Sequence, residues 1–198
     1  MRSIHPYEPY VPQNAEKLII GTIPPYRFCI KPLKLFARDV NFFYGSRDSA
    51  FWELLSAATG KEFDYENTEA AVNQRKDLLR ELKIGITDVI KSCIHKDGKS
   101  DDKSLEDEEE KKLKKLLSQN SKINTFLYTS GRVKTLMNAF ADKREHAWTV
   151  PKKRGTVVID DKKYNVTVLY SPAPSALRGM GKDGAKIREA QYREVFGS

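Results

Sequence analysis

Three stretches of this sequence collect hydroxyls, carboxylates and aromatic rings directly after apolar runs: GTIPPY from Gly21, FFYGSRDSAFW from Phe42 and LYSPAPSALRG from Leu169. In the last, a Ser-Pro turn leads into a helix. Such a turn presents backbone N–H groups and hydroxyls to an anion, with Ser171, Ser175 and Arg178 as the candidate ligands and Lys182 on the same basic loop. In the first two stretches, Thr22 and the backbone at Ile23 offer polar contacts to a ligand edge, Tyr44 offers a ring, and Ser49 offers a hydroxyl able to hold a water. A hydroxyl is a poor base near neutral pH without a histidine beside it. Asp48, adjacent to Ser49, and Asp88, in the ITDV segment, are therefore the carboxylates suited to take up a proton. Plainer readings stand beside these: a Pro-rich turn with a capping serine, an Asp that caps a helix, and Phe42, Phe43 and Tyr44 as core. For Phe51 and Trp52 the core reading is preferred.

These residues must be positioned by the elements around them. KLIIG, Lys17 to Gly21, is a short continuous apolar run ending in Gly, the pattern of a buried parallel strand. Pro24 and Pro25 forbid an immediate helix, so the chain should leave the strand's carboxyl end as a loop. A helix capped by Ser49 should carry Phe51, Trp52, Leu54 and Leu55 and stop at Gly60. Residues 66 to 82 read as a helix, KIGITDVI from Lys83 as a strand leading into a loop, and DDKSLEDEEEKKLKKLLSQN as a charged helix with an acidic start and a basic end. INTFLYTSG is a second central strand, VKTLMNAFA the helix after it, and VVIDDKKYNVTVLYS a hairpin whose second arm re-enters the core. SALRGMGKDGAKIREAQYREVF gives a glycine-broken basic loop and a terminal helix. Strands alternating with helices predict a parallel sheet covered on both faces, with the ligand crevice outside the strands' carboxyl ends.

The 198 residues suffice for one sizeable core, so residues 1–198 are expected to form a single domain. Apolar content of 39% with 10% aromatic residues excludes a disordered chain. No run approaches the ~20 apolar residues of a membrane span. The start MRSIHPYEPYVPQ lacks the apolar core of a signal peptide, and a cytoplasmic protein is expected, nucleoid-associated if bacterial. Cys29 and Cys93 cannot build a disulfide framework or an iron–sulfur site and read as small buried hydrophobes. His5, His95 and His146 are scattered without metal-ligand spacing, so neither metal nor cofactor is expected. The formal charge is +8, and from Gly131 to Ser198 there are 14 Lys and Arg against 7 Asp and Glu. Such a basic region favours a polyanion, nucleic acid first and an acidic membrane surface second.

The motifs carry a family resemblance. LIIGTIPP resembles the first motif of the uracil-DNA glycosylase superfamily, a strand ending in Gly, two variable residues and Pro. YGSRDSAFWELLSAATG is similar to the aromatic-G-H-P-x-N-x-F-W stretch of its mismatch-specific and hypoxanthine-removing branches, ELKIGITDVIKSC to the segment those branches place between motifs, and LYSPAPSALRG to the second motif. Order and spacing agree from about residue 4 to residue 195. The resemblance implies an α/β fold, a three-layer α/β/α sandwich with a central, mostly parallel four-stranded sheet. It implies an enzyme without cofactor, a monomer acting on DNA, that flips a damaged or deaminated base from duplex or single strand and hydrolyses its N-glycosidic bond. Tyr44 would then be the pocket ring, with Thr22, Ile23 and Asp88 near the base edge. Ser171, Ser175 and Arg178 would hold phosphates, and Leu177 or Met180 would be the apolar wedge. The chain departs from the motifs it resembles at their polar positions: Ile23 stands where several branches, though not the hypoxanthine-removing one, carry Asp or Asn, Ser46 stands for a His, Ser49 for the Asn that the hypoxanthine-removing branch uses, and Ser171 near the His or Asn of the second motif. Ser49, Asp48 and Asp88 are the catalytic candidates that remain.

Two other readings compete. Ile23-Pro24-Pro25-Tyr26 resembles the motif of amino-group methyltransferases, but the polar first residue and a glycine-rich cofactor loop are missing. A non-catalytic, nucleic-acid-binding descendant of the same fold is the stronger rival, favoured by Ile23 and Ser49.

Overall fold

The computed structural model describes residues 2–96, 105–110, 112–142 and 154–197. The chain enters through a short strand β1 (Arg2–Ile4) and reaches KLIIG as strand β2 (Lys17–Gly21). A loop holding the four-residue helix α1 (Tyr26–Cys29) follows, then helices α2 (Phe51–Thr59) and α3 (Glu69–Glu81). Next come strands β3 (Ile84–Asp88), β4 (Ile90–His95) and β5 (Leu105–Glu110), helix α4 (Leu113–Gln119), strand β6 (Thr125–Tyr128) and helix α5 (Gly131–Met137). The hairpin β7 (Arg154–Ile159) and β8 (Lys162–Val168) leads through a 3-10 turn, Pro174–Gly179, to helix α6 (Gly184–Phe196).

The main sheet has five strands in the order β3-β2-β6-β8-β7, not four. The first four are parallel and β7 is antiparallel to β8. The fifth strand exists because Asp160 and Asp161 both adopt positive φ, 48° and 60°, and close a two-residue hairpin that returns the first arm to the same sheet. Leu18, Ile19 and Ile20 of β2 are fully buried, which is why this central strand is apolar without alternation. Leu18 and Ile20 join Phe126, Tyr128, Val166 and Val168 and the apolar sides of α4 and α5 in one cluster. Ile19, Ile86 and Leu127 join α2, α3 and α6 in the other. The sheet thus lies between two apolar layers, and each fully buried Ile, Leu or Phe contributes about 1.5–3 kcal/mol.

The charged segment is largely corrected. Leu105–Glu110 is a strand, antiparallel to β4 in a small sheet ordered β1-β4-β5, and among the described residues of the segment only Leu113–Gln119 is helical. Tertiary pairing overrides the helix propensity of the glutamates. Glu109 accepts from Lys91 at 2.7 Å and from Ser92 at 2.9 Å, and Glu108 from Arg132 at 2.5 Å. Residues 101–104 and 111 of that expected helix lie outside the described residues. The loop expected after the KIGITDVI segment is likewise strand, β4 (Ile90–His95). Helix α2 begins one residue later than a Ser49 cap requires, with Ala50 at the cap position, although Ser49 Oγ still accepts from Phe51 N at 3.3 Å.

Candidate functional site

Because β3, β2, β6 and β8 run the same way, Asp88, Gly21, Tyr128 and Val168 end at one edge of the sheet. At that edge Gly21 pairs in register with Asp88. A Cβ on Gly21 would overlap both Asp88 Oδ1 and Tyr44 Oη, so the carboxylate and the phenol converge over the same strand end and glycine alone leaves room for both. Tyr44 is delivered by a tight turn. Val40 N donates to Gly45 O at 2.7 Å and Gly45 N to Phe42 O at 2.9 Å. The Val40 carbonyl lies against the Gly45 Cα, where a side chain would collide. Tyr44 itself holds φ at 55°, uncommon for an aromatic residue and costly enough to need support from its surroundings. That support comes from stacking on the buried Phe51 ring, 4.4 Å between centroids, and from a 2.7 Å hydrogen bond between Tyr44 Oη and Thr129 Oγ1. Thr129, just past β6, is buried and donates in turn to Ile20 O at 3.2 Å.

Asp88 is 5% exposed and does not stand alone. Tyr7 N donates to His5 Nδ1 at 3.0 Å, which places the ring proton on Nε2. Nε2–H donates to Asp88 Oδ2 at 2.8 Å. His5 is packed against Tyr7 and Phe43, with ring centroids 5.7 Å away in each case. A carboxylate whose one oxygen is held and oriented, and whose other oxygen faces the strand end, is equipped to accept a proton or to stabilise a nearby positive charge.

The other carboxylate candidate is placed differently. Asp48 is exposed, and Arg27 Nη2 donates to it at 3.1 Å. Arg27 also forks onto the fully buried Asp39, Nε at 2.7 Å and Nη2 at 2.9 Å, and donates to Ser46 Oγ at 2.8 Å. Asp48 is thereby engaged in a loop-building network, and Ser49 in the start of α2. Thr22 is half-buried and contributes its carbonyl to Ile90 N at 3.0 Å, while Ile23 packs on the apolar cluster that holds Ile20. Phe51 and Trp52 are core, with Trp52 Nε1 donating to Phe43 O at 2.9 Å.

The Ser171 turn meets the Tyr44 loop: Ala50 N donates to Pro172 O at 3.1 Å. Helix α6 holds the turn from behind. Arg188 Nη1 donates to Ser171 O at 3.2 Å, Tyr192 Oη to Tyr170 O at 3.1 Å, and Tyr170 N donates to Gln191 Oε1 at 2.6 Å. Ser175, Arg178 and Lys182 are exposed, and Ser171 is half-buried with its Oγ accepting from Ala173 N at 3.3 Å. Leu177 and Met180 are only partly exposed and lie against Gly184 at the start of α6.

Sequence reasoning missed His5, Thr129 and Arg188. The first two carry no local signal, since their partners lie 83 and 85 residues away. Arg188, Gln191 and Tyr192 were legible in part, because spacings of three and four put them on one side of a helix. Burial pushes the Cys29 thiol up to about 12 and raises that of Cys93, which keeps both protonated; Cys93 is a buried hydrophobe as expected, whereas Cys29 is only half-buried, its Sγ donating to Pro24 O at 3.5 Å. Burial also lowers His95, whose Nδ1 bonds Ser3 Oγ at 2.9 Å. His146 lies outside the described residues. Among the described residues, no three His, Cys, Asp or Glu side chains are grouped to hold a metal ion, and no helix is long and apolar enough to cross a membrane.

The chain is similar to the solution NMR structure of a "putative uracil DNA glycosylase" from Methanosarcina acetivorans, with a TM-score of 0.56 and 19% identity, over 98% of this chain and 99% of that one. At this identity the likeness is one of fold. No protein-family model and no curated protein matches the chain.

Proposed function

We propose that this protein is a monofunctional DNA glycosylase that receives a flipped uracil or hypoxanthine against Tyr44 and hydrolyses its bond to the sugar. The observation that carries the reading is the buried Asp88, held by His5 and converging with Tyr44 over Gly21. The base stacks against the half-buried Tyr44, and the Ser171 turn with Ser175, Arg178 and Lys182 grips the neighbouring phosphates. As the bond from C1′ to the base nitrogen breaks, its electron pair leaves with the base and positive charge develops on the sugar. Asp88 stabilises that charge and takes the proton of the water whose oxygen adds to C1′. His5 acts through Asp88 and is a positioning residue. Asp48 and Ser49 serve the loop that presents Tyr44, a smaller role than that of Asp88.

The same reading treats residues 1–198 as one domain with the three-layer arrangement of the uracil-DNA glycosylase superfamily. The mismatch-specific and hypoxanthine branches have the closest motif order. It expects a monomer in the cytoplasm with DNA as its partner and no cofactor.

One observation favours a second reading, a binding protein without chemistry: Ile23 is apolar and Ser49 Oγ is engaged by the Phe51 amide, so two positions that relatives use for water activation offer none here. Oligonucleotides carrying uracil, hypoxanthine or mismatched thymine, incubated with the protein and then treated with alkali, separate the two. Strand breaks at the modified position support the enzyme. Tight binding with no alkali-labile site on any of the three supports the binding protein.

A further inference from the structure

Leu33 and Phe36 stand out from one loop, 42% and 49% exposed. Scattered exposed apolar residues are ordinary, but the surroundings of Phe36 are built. The guanidinium of Arg47 lies 4.4 Å from the ring centroid and that of Arg27 lies 4.8 Å from it. Phe36 N donates to Asp39 Oδ2 at 2.8 Å and Arg47 N to Asp39 Oδ1 at 2.8 Å, while Arg27 forks onto both oxygens. One fully buried carboxylate therefore anchors the Arg27 guanidinium and the backbone from which Phe36 and Arg47 project. The bonds from Arg27 to Ser46 and Asp48 join this assembly to the turn that delivers Tyr44. Between Arg27 and Asp48 the sequence has five basic residues against two acidic ones, and Lys31, Lys34 and Arg38 are exposed on the same loop. By contrast, the expected wedge residues Leu177 and Met180 lie against α6.

The geometry points to the loop 31–38 as a second nucleic-acid contact, in which Phe36, braced by Arg27 and Arg47, stacks on a base of a DNA single strand while Lys31 and Lys34 meet its phosphates. An aromatic face presented among cations is the arrangement that binds unpaired bases with little sequence preference. The inference deepens the glycosylase reading by naming single-stranded DNA next to the flipped nucleotide as the substrate class. It rests on that reading for DNA as the ligand but not for excision.

The test is fluorescence anisotropy of a short 5′-fluorescein-labelled oligothymidylate titrated with the full chain and its variants. Phe36→Ala is expected to weaken binding by roughly 10-fold. Phe36→Trp should restore it, and Phe36→Leu, apolar but unable to stack, should not. Ile187→Ala, which removes an exposed side chain on α6, should leave it unchanged. Thermal unfolding of each variant verifies that it folds. The inference is overturned if Phe36→Ala and Phe36→Leu bind like the wild type, or if the wild type binds no oligonucleotide. It is equally overturned if the variants lose binding to phosphatidylserine-containing vesicles but not to DNA. Phe36-dependent binding without excision of any base sinks the glycosylase reading alone, whereas excision with Phe36-independent binding sinks only this one.

Discussion

The two sides, or lips, of the candidate site are built on opposite plans. On the side of β2, β3 and β6, polar groups are buried and locked to side-chain partners: Asp88 to His5 and Thr129 to Tyr44, far apart in the chain, and Asp39 to Arg27 within one loop. On the side of the Ser171 turn, the 3-10 segment Pro174–Gly179 contains no buried residue, and its polar groups face solvent in front of α6. On the proposed reading, the difference separates two tasks. Groups that act on a reacting bond must be pre-organised in a water-poor setting, because their effect depends on position to a fraction of an ångström. Groups that grip a phosphate backbone act through exposed charge, where each contact adds affinity and tolerates adjustment.

If that division holds, changes on the first lip should harm turnover and changes on the second should harm affinity. The largest effect short of removing the carboxylate is expected from Gly21→Ala, since the added methyl collides with Asp88 Oδ1 and Tyr44 Oη. Single-turnover excision should fall by about 10²-fold with the fold intact, as a misplacement near 1 Å does elsewhere. Next comes His5→Gln, which keeps a donor but not the ring's anchored geometry. Excision should drop ~10-fold, whereas His5→Ala leaves Asp88 buried without its partner and should also destabilise by about 1–3 kcal/mol in chemical denaturation. On the second lip, Arg178→Ala and Lys182→Ala should each weaken binding several-fold whatever the base. Each should reduce the slope of log affinity against log salt by about 1, with the rate of the bound complex unchanged.

The smallest effect is on pH dependence. Burial alone would raise the Asp39 carboxyl, but the Arg27 fork and the amides of Arg47 and Phe36 outweigh it and hold it below the usual carboxylate range. The folded state thus binds this proton less readily than the unfolded chain does. Its stabilising contribution is complete above the unfolded value near pH 4 and is lost as pH falls below it. Melting temperatures measured from about pH 6 to about pH 3 should fall more steeply for the wild type than for Asp39→Asn.

Much of this arrangement was legible in the sequence, for reasons that can be named. KLIIG and VTVLY announce buried strands because a parallel sheet covered on both faces leaves no polar side, and the loops that follow them had to meet at one edge. The Ser171 turn and Tyr44 were readable from Pro, Gly and Ser in fixed places. The glutamates of Leu105–Glu110 misled because single-residue propensity knows nothing of Lys91 and Arg132 waiting on neighbouring elements. Asp48 and Asp88 looked equivalent as carboxylates after loop or strand. Only the fold shows that one is exposed and paired with Arg27 while the other is buried against a histidine just past the first strand.

On the proposed reading, Asp88 is the group that acts on the reacting bond. Single-turnover excision by Asp88→Asn, on whichever of the uracil, hypoxanthine and thymine-mismatch oligonucleotides the wild type cleaves, tests it most directly when oligonucleotide binding and thermal unfolding are measured on the same preparation. The account predicts excision slowed by about 10²- to 10⁴-fold, with binding and fold retained. Excision at the wild-type rate by a folded Asp88→Asn protein contradicts it.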